Sequence, residues 1–317
     1  MGDKAPDSDS RLASLAVLRG LAILLVIVGH FAPSGLTHLL GTPALSLMAY
    51  GGVILFFVLS GFLMDRTLAA DRNFVSYAIR RVARILPLYW VSLLVAFALG
   101  AWTLRDLALN AFFLVPLARS ELMSGVYWTL YIEVLFYALA PLLVYAGDRA
   151  IVISLYLVIA ADVAVFFYRG VPSHALYHLS FCLLGMSFGA WHRKKLTDFG
   201  LVLAAFAVTA HATLSPQGVF VALAPLASAV LMWFGLRYVA NIAPLSFLGA
   251  VSYGWYLLHA VIGLPLMAVM LRSGVPDWQA ALAAALVSLL AAWVAHLLIE
   301  KPGIAFGRRL RFRKAAQ

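Results

Sequence analysis

The chain has 317 residues, of which 64% are hydrophobic and 11% charged, and its formal charge is +10. A soluble domain carries about 25% charged residues, so this composition excludes a soluble globular fold and predicts a lipid bilayer as the main solvent. The positive charge does not indicate nucleic acid, because membrane topology accounts for it. The lone Cys182 excludes a disulfide framework and a thiolate metal site within the chain.

Apolar stretches of roughly twenty residues, enough to cross the hydrocarbon core, recur along the sequence. They predict an all-α, polytopic integral membrane protein with about ten transmembrane helices. The predicted spans are 13–31, 44–64, 85–101, 125–146, 150–168, 174–191, 199–213, 218–236, 246–271 and 278–299.

The distribution of Lys and Arg predicts the orientation of these helices. With the N- and C-termini in the cytoplasm, 18 of the 23 basic residues fall on the cytoplasmic side and four on the outer side. This asymmetry follows the positive-inside rule. Residues 1–12 are then a short cytoplasmic tail, 13–302 a single transmembrane domain, and 303–317 a basic cytoplasmic tail near anionic lipid headgroups.

The first predicted helix carries two ionisable residues, Arg19 and His30, that are eleven positions apart. At about 100° and 1.5 Å per residue, their side chains share one face and lie roughly 16 Å apart along the axis. Ionisable residues within a span are costly, so this face is expected to line a polar cavity. Snorkelling of Arg19 to the headgroups and a helix-end position for His30 are the alternatives.

The segment 71–87, DRNFVSYAIRRVARILP, differs from the apolar spans. Its apolar residues recur at helical spacing, which predicts an amphipathic helix on the cytoplasmic surface that leads into the third span. Its guanidinium groups, with Lys301 nearby, are candidate phosphate ligands, because arginine offers paired donors to phosphate oxygens. They are Arg80, Arg81 and Arg84. Topology alone would also produce this cluster, and that alternative stays open.

Glu133 lies about two turns inside the outer end of the fourth predicted helix. This places it in the same half of the bilayer as His30, and a buried carboxylate needs a partner. Such a pair would orient the imidazole and support its use as a base toward a hydroxyl group. A structural hydrogen bond between helices is the alternative.

Other polar residues occur within the later spans. Tyr256 and His259 belong to a polar stripe on the ninth predicted helix. Structural hydrogen bonds are expected for a further set whose partners the sequence does not name, which comprises Asp162, His178 and His296. No phosphate loop and no histidine spacing typical of a metal site is present, so no metal is expected.

Six segments, in this order, resemble the membrane-bound acyltransferase 3 family. They are RGLAILLVIVGH (19–30), GGVILFFVLSGFLM (51–64), RRVARILPLYW (80–90), YWTLYIEVLFY (127–137), SYGWYLLH (252–259) and Glu300-Lys301-Pro302. The sequence departs from the family after His259, where a proline often follows at once, whereas Pro265 comes six residues later.

The resemblance implies an acyl-CoA-dependent O-acyltransferase of the bacterial inner membrane. Acetyl-CoA or another acyl-CoA would be the cytoplasmic donor, and a hydroxyl of a cell-surface carbohydrate, such as an exopolysaccharide or lipopolysaccharide precursor, the acceptor. The chain resembles the stand-alone form of the family. A transporter of a glycan or lipid-linked substrate is the alternative function. Membrane lipid is an expected partner and nucleic acid is not, while a homodimer or a complex with polysaccharide-assembly proteins is left open.

The expected site combines the resemblance with the residues above. The expected catalytic residues are His30 and Glu133. The residues expected to bind the donor are Arg19, Arg80, Arg81, Arg84 and Lys301. Those expected to bind the substrate are Trp128, Tyr256 and His259. Direct attack of the hydroxyl on the thioester and a transient acyl-His30 intermediate both remain open.

Overall fold

The computed structural model describes residues 8–71, 73–118, 120–215, 218–238 and 241–310. Within these ranges every regular element is a helix. The α-helices are α1 (Ser8–Phe31), α2 (Ser34–Leu40), α3 (Thr42–Ala70), α4 (Phe74–Leu99), α5 (Leu104–Ala111), α6 (Val115–Ala118), α7 (Trp128–Ala146), α8 (Asp148–Arg169), α9 (His174–His192), α10 (Asp198–Ala212), α11 (Val219–Arg237), α12 (Ala243–Leu258), α13 (Leu264–Arg272), α14 (Asp277–Ala295) and α15 (Lys301–Arg309). Two short π-helical segments, His259–Gly263 and His296–Glu300, join α12 to α13 and α14 to α15.

Eight helical stretches among the described residues are long and apolar enough to cross a membrane. They are Ala13–Phe31, Thr42–Ala70, Phe74–Leu99, Trp128–Ala146, Asp148–Arg169, Phe220–Arg237, Ala243–Arg272 and Asp277–Arg309. The prediction of an all-α polytopic membrane protein is therefore confirmed.

The other two predicted spans, 174–191 and 199–213, coincide with α9 and α10. α10 has only 15 residues. α9 is a continuous helix of 19 residues, but its histidine and serine side chains make it less apolar than the other spans, and it is buried along most of its length. The count of ten spans and the cytoplasmic position of both termini stay predictions. Residues 1–7 and 311–317 of the predicted tails lie outside the described residues.

The chain divides into two compact units, each described by itself. The first comprises Met1–His30, Leu40–Arg72 and Ile132–Ala250. The second comprises Phe31–Leu39, Asn73–Tyr131 and Val251–Gln317. The predicted single domain over 13–302 stays a prediction.

In the first unit, α3 and α9 are held close together by reciprocal glycine contacts. A Cβ atom built on Gly61 would lie 1.9 Å from the carbonyl oxygen of Cys182, and one on Gly185 would lie 2.0 Å from that of Val58. Only glycine permits this approach of two helix backbones, which is a common way to pack helices within a membrane.

The first unit also supplies partners for polar residues that the sequence left unpartnered. The carboxylate of Asp162 accepts hydrogen bonds from His211 Nε2 at 2.9 Å and from the backbone N–H of Ser173 at 2.5 Å. His178 lies 2.7 Å from the hydroxyl of Tyr50 through its Nε2 atom. These buried groups join α3, α8, α9 and α10, as buried polar groups generally require.

In the second unit, α4 is one continuous helix that contains Pro87. The helix predicted over 71–87 begins at Phe74 and leads into the span without a break, as expected, while its position on the cytoplasmic surface stays a prediction. Pro87 has no N–H to bond the carbonyl of Ala83. Gly303 of α15 approaches that oxygen so closely that a Cβ atom would lie 2.4 Å away. The resulting Cα–H contact covers the carbonyl that Pro87 leaves free.

Candidate active site

His30 lies in the last turn of α1, where its side chain is exposed. Its Nδ1 atom is 2.8 Å from the carbonyl oxygen of Val26. A carbonyl oxygen can only accept, so Nδ1 carries the hydrogen and donates it. In the neutral imidazole, Nε2 is then the basic nitrogen. The α1 backbone thus sets the tautomer that a general base would need.

Glu133 lies in the second turn of α7 and is half-buried. Its Oε1 atom accepts hydrogen bonds from the hydroxyl of Tyr137 and, at 3.4 Å, from that of Ser60 on α3. In the described part of the chain these partners are hydroxyl groups rather than cations. The predicted pairing of Glu133 with His30 stays a prediction.

Arg19 is half-buried on α1, which continues without interruption from this residue to His30. The periodicity of an unbroken helix therefore keeps the two side chains on one face, as expected. Next to Arg19, Gly20 packs against α12, since a Cβ atom there would lie 1.9 Å from the carbonyl oxygen of Leu245. This contact fixes α1 at the level of the arginine.

The predicted phosphate ligands belong to the second unit. Arg80, Arg81 and Arg84 are half-buried on the first half of α4, and Lys301 is exposed at the start of α15. The guanidinium carbon of Arg81 lies 5.9 Å from the ring centre of Tyr77, a cation–π contact. Two turns of α4 thus present cations beside the α15 helix.

The residues predicted to bind substrate also belong to the second unit. The hydroxyl of Tyr256 donates to the carbonyl of Val126 at 3.2 Å and accepts from Thr129 at 3.1 Å. His259 is fully buried at the start of a π-helical segment, with its ring 6.0 Å from that of Phe31. Trp128 is the half-buried first residue of α7. Their roles toward substrate stay predictions.

The sequence reasoning missed the pair formed by His296 and Glu300. The Nδ1 atom of His296 lies 2.9 Å from Oε2 of Glu300. Glu300 is only 5% exposed. From the sequence it was named only as part of the Glu300-Lys301-Pro302 motif. The signal that could have found it is the four-residue spacing of a histidine and a carboxylate within an apolar helix.

The described helices and their polar residues agree with one known family. A family model described as an acyltransferase domain, Acyl_transf_3, matches residues 12–297. The chain belongs to the acyltransferase 3 family. A protein of Acidianus two-tailed virus named "Putative acetyltransferase ORF330" is 29% identical to this acyltransferase over 176 residues. That match covers 53% of this chain and 52% of the viral protein, so it spans about half of each. No solved structure matches the chain.

Membership of the family and the name of the viral relative together support acyl transfer as the reaction of this acyltransferase. The family match extends over most of α1 and all of α4, α7, α12 and α14. It therefore includes His30, Glu133 and the arginines of α4, while Glu300 and Lys301 lie just beyond its end.

Proposed function

We propose that this acyltransferase moves an acetyl or other acyl group from a cytoplasmic acyl-CoA to a hydroxyl of a cell-surface carbohydrate in the bacterial inner membrane. The observation that carries the proposal is the orientation of His30, whose Nδ1 atom donates to the Val26 carbonyl at 2.8 Å. An imidazole held in this tautomer offers Nε2 to the proton of an attacking hydroxyl group.

The proposed reaction needs no oxidant and no metal. Nε2 of His30 takes the proton of the acceptor hydroxyl while its oxygen attacks the thioester carbonyl carbon. The carbon–sulfur bond then breaks, and the CoA thiolate leaves and takes the proton from the imidazolium. If His30 instead carries the acyl group, its Nε2 attacks the thioester carbonyl carbon and the carbon–sulfur bond breaks as the CoA thiolate leaves. The acceptor oxygen then attacks the acyl carbon, Nε2 leaves as the neutral imidazole, and the proton of the hydroxyl passes to the thiolate.

Glu133 is proposed to support the charge that develops on the imidazole during either route. A carboxylate stabilises an imidazolium ion by Coulomb attraction, which a low-dielectric surrounding strengthens. The hydroxyls of Tyr137 and Ser60 orient this carboxylate, and Arg19 is proposed to bind the donor in the same unit.

The phosphates of acyl-CoA are proposed to bind the arginines of α4 in the second unit. Planar guanidinium groups donate paired hydrogen bonds to phosphate oxygens. Arg80 and Arg84 lie one helical turn apart, and Arg81 stands beside them on the same two turns. Lys301 adds a positive charge at the start of α15.

The carbohydrate acceptor rests on the resemblance to family members that modify surface glycans. Trp128, Tyr256 and His259 are the proposed acceptor-binding residues, since they combine aromatic surface with polar atoms in a buried setting. A glycan extracted from a strain that lacks this protein is the acceptor to test first.

The proposal is tested by measuring release of free CoA thiol from acetyl-CoA by purified protein in nanodiscs, with the extracted glycan as acceptor. His30→Ala should lower the rate at least about a hundredfold, because general-base catalysis contributes about 10² to 10⁴. His38→Ala changes an exposed histidine of α2 and should leave the rate unchanged.

Two results would contradict the proposal. If the wild type released thiol at the same rate without glycan, the glycan would not be the acceptor. If a folded His30→Ala protein released thiol at a near-normal rate, His30 would not be the base. Incubation with radiolabelled acetyl-CoA alone separates the two routes. Label on the wild type that is absent from His30→Ala indicates the covalent route, and an unlabelled wild type indicates direct attack.

A further inference from the structure

Glu300 is a buried carboxylate at the end of the π-helical segment that joins α14 to α15. Its side chain is 5% exposed, and its Oε2 atom is paired with His296 at 2.9 Å. Its Oε1 atom is buried and has no hydrogen-bond partner within the described part of the chain. Leaving a buried acceptor unsatisfied costs about 1–3 kcal/mol, so such groups call for an explanation.

The surroundings of Oε1 are those of a site for a hydrogen-bond donor. The position where a side chain of Gly254 would begin lies 3.1 Å from Oε1 of Glu300, 3.3 Å from the carbonyl oxygen of Ala292 and 3.4 Å from Cδ2 of Leu88. Oε1 of Glu300 and the carbonyl oxygen of Ala292 therefore both lie close to the α12 backbone at Gly254, with no side chain of Gly254 between them. A Cα–H group at that position is too weak a donor to replace an N–H or O–H group.

Leu88, which lies beside Gly254, is on the same helix as the arginines that are proposed to bind phosphate. Arg84 precedes Leu88 by one helical turn and Arg80 precedes it by two, which places the arginines about 6 and 12 Å away along the helix axis. Tyr253 binds α12 to α4 at the same level, because its hydroxyl donates to the carbonyl of Ile85 at 2.8 Å.

We propose that Oε1 of Glu300 accepts a hydrogen bond from the pantetheine arm of acyl-CoA. This inference rests on the proposed function, in which the α4 arginines hold the phosphates. The arm that follows these phosphates carries a hydroxyl and two amide N–H groups, which are donors of the required kind.

The π-helical geometry explains why Glu300 faces inward. A π-helical segment accommodates one extra residue in its turn and is frequent at functional sites. Here the N–H of Lys301 bonds to the carbonyl of His296, five residues earlier. The rotated carboxylate is directed toward α12, while Lys301 and the rest of α15 continue along α4.

The test compares two ligands that share phosphates but differ in the arm. CoA carries the pantetheine arm, whereas adenosine 3′,5′-bisphosphate lacks it. Isothermal titration in nanodiscs should show that Glu300→Ala raises the Kd of CoA roughly tenfold, as expected for one lost hydrogen bond to a charged acceptor, and leaves the Kd of the bisphosphate unchanged. Glu300→Gln keeps an acceptor oxygen and should recover part of the loss.

A second variant does not depend on removing the carboxylate. Gly254→Ala would put a methyl group between the two acceptor oxygens and should weaken CoA alone. Arg84→Ala should weaken both ligands. Equal Kd values for CoA in the wild type, Glu300→Ala and Gly254→Ala, with Arg84→Ala still weakening both ligands, would overturn this inference and leave the proposed function intact. Binding of both ligands that is indifferent to Arg84→Ala would instead refute the donor site itself.

Discussion

Among the residues that the structure describes, two carboxylate–histidine pairs have a buried carboxylate, and they differ in how completely the carboxylate oxygens are hydrogen-bonded. In the first unit, both oxygens of Asp162 accept hydrogen bonds, one from His211 and one from the Ser173 backbone. In the second unit, Glu300 is bonded to His296 through one oxygen, and its other oxygen has no partner among the described residues. We call the first pair closed, because both carboxylate oxygens are hydrogen-bonded. The second pair keeps one acceptor oxygen that has no partner in the described part of the chain.

This difference separates a structural role from a ligand-binding role. A fully bonded buried pair recovers the cost of its desolvation and fixes the helices that carry it. A half-bonded pair leaves a cost that a ligand can recover on binding. The changes below test this distinction, from the largest expected effect to the smallest.

The largest expected effect is on stability at the closed pair. Asp162→Ala leaves His211 buried without its carboxylate, so the free energy of unfolding should fall by about 3 kcal/mol or more. Glu300→Gln keeps the shape and one acceptor and should cost about 1 kcal/mol. Denaturant unfolding in detergent micelles measures both. Equal losses for the two variants would contradict the comparison.

The next effect concerns one close helix contact of a glycine in each unit. Gly185→Ala on α9 and Gly303→Ala on α15 each place a methyl group within 2.4 Å of a carbonyl oxygen, so each should lose about 1–3 kcal/mol of stability. Gly125→Ala is the matched control, because a Cβ atom there meets no other atom within 4 Å. Equal free energies of unfolding for all three variants would show that these contacts are loose.

A smaller effect is expected at Glu133, a carboxylate whose partners are hydroxyl groups. Tyr137→Phe removes one donor and should lower kcat/KM roughly tenfold with little loss of stability. Tyr168→Phe, at a side chain that is 91% exposed, is the control. If both variants kept the wild-type kcat/KM in the thiol-release assay, the orientation of Glu133 would not matter to catalysis.

The smallest effect lies at Asp106, a carboxylate in the first turn of α5. The Thr103 hydroxyl, which donates to this carboxylate at 2.6 Å, lowers the pKa of Asp106 below its ordinary range. Because the folded-state pKa is lowered, this hydrogen bond stabilises the start of α5 at pH values above the unfolded-state pKa. The stabilisation is lost as the pH falls through the folded-state pKa. Hydrogen exchange of the α5 amides, corrected for intrinsic rates, should therefore speed up on acidification. In Asp106→Asn it should show no such titration.

Much of the fold could be predicted from the sequence, because length and apolar character decide whether a helix can span a bilayer. α1 with Arg19 and His30 is an example, since a regular period determines which side chains share a face. The close contact of Gly303 with the carbonyl of Ala83, one turn before Pro87, could not be predicted, because the two residues are more than two hundred positions apart in the chain.

The pairing of Asp162 with His211 could not be predicted from the sequence either. Asp162 and His211 are 49 residues apart, and no local spacing links them. His296 and Glu300 stand at helical spacing and could have been found. The environment of the second oxygen of Glu300, which has no partner among the described residues, could not be predicted. It depends on the packing of α4, α12 and α14, which only the three-dimensional structure supplies.

The burial of α9 has a consequence for how the protein is made. A helix with three histidines and two serines gains little by entering hydrocarbon alone during synthesis. Its contacts are with α3 and α8, which the ribosome has already produced, and with α10, which follows. We therefore expect α9 to take its place by packing against α3 and α8, which precede it along the chain, rather than by its own transfer into hydrocarbon.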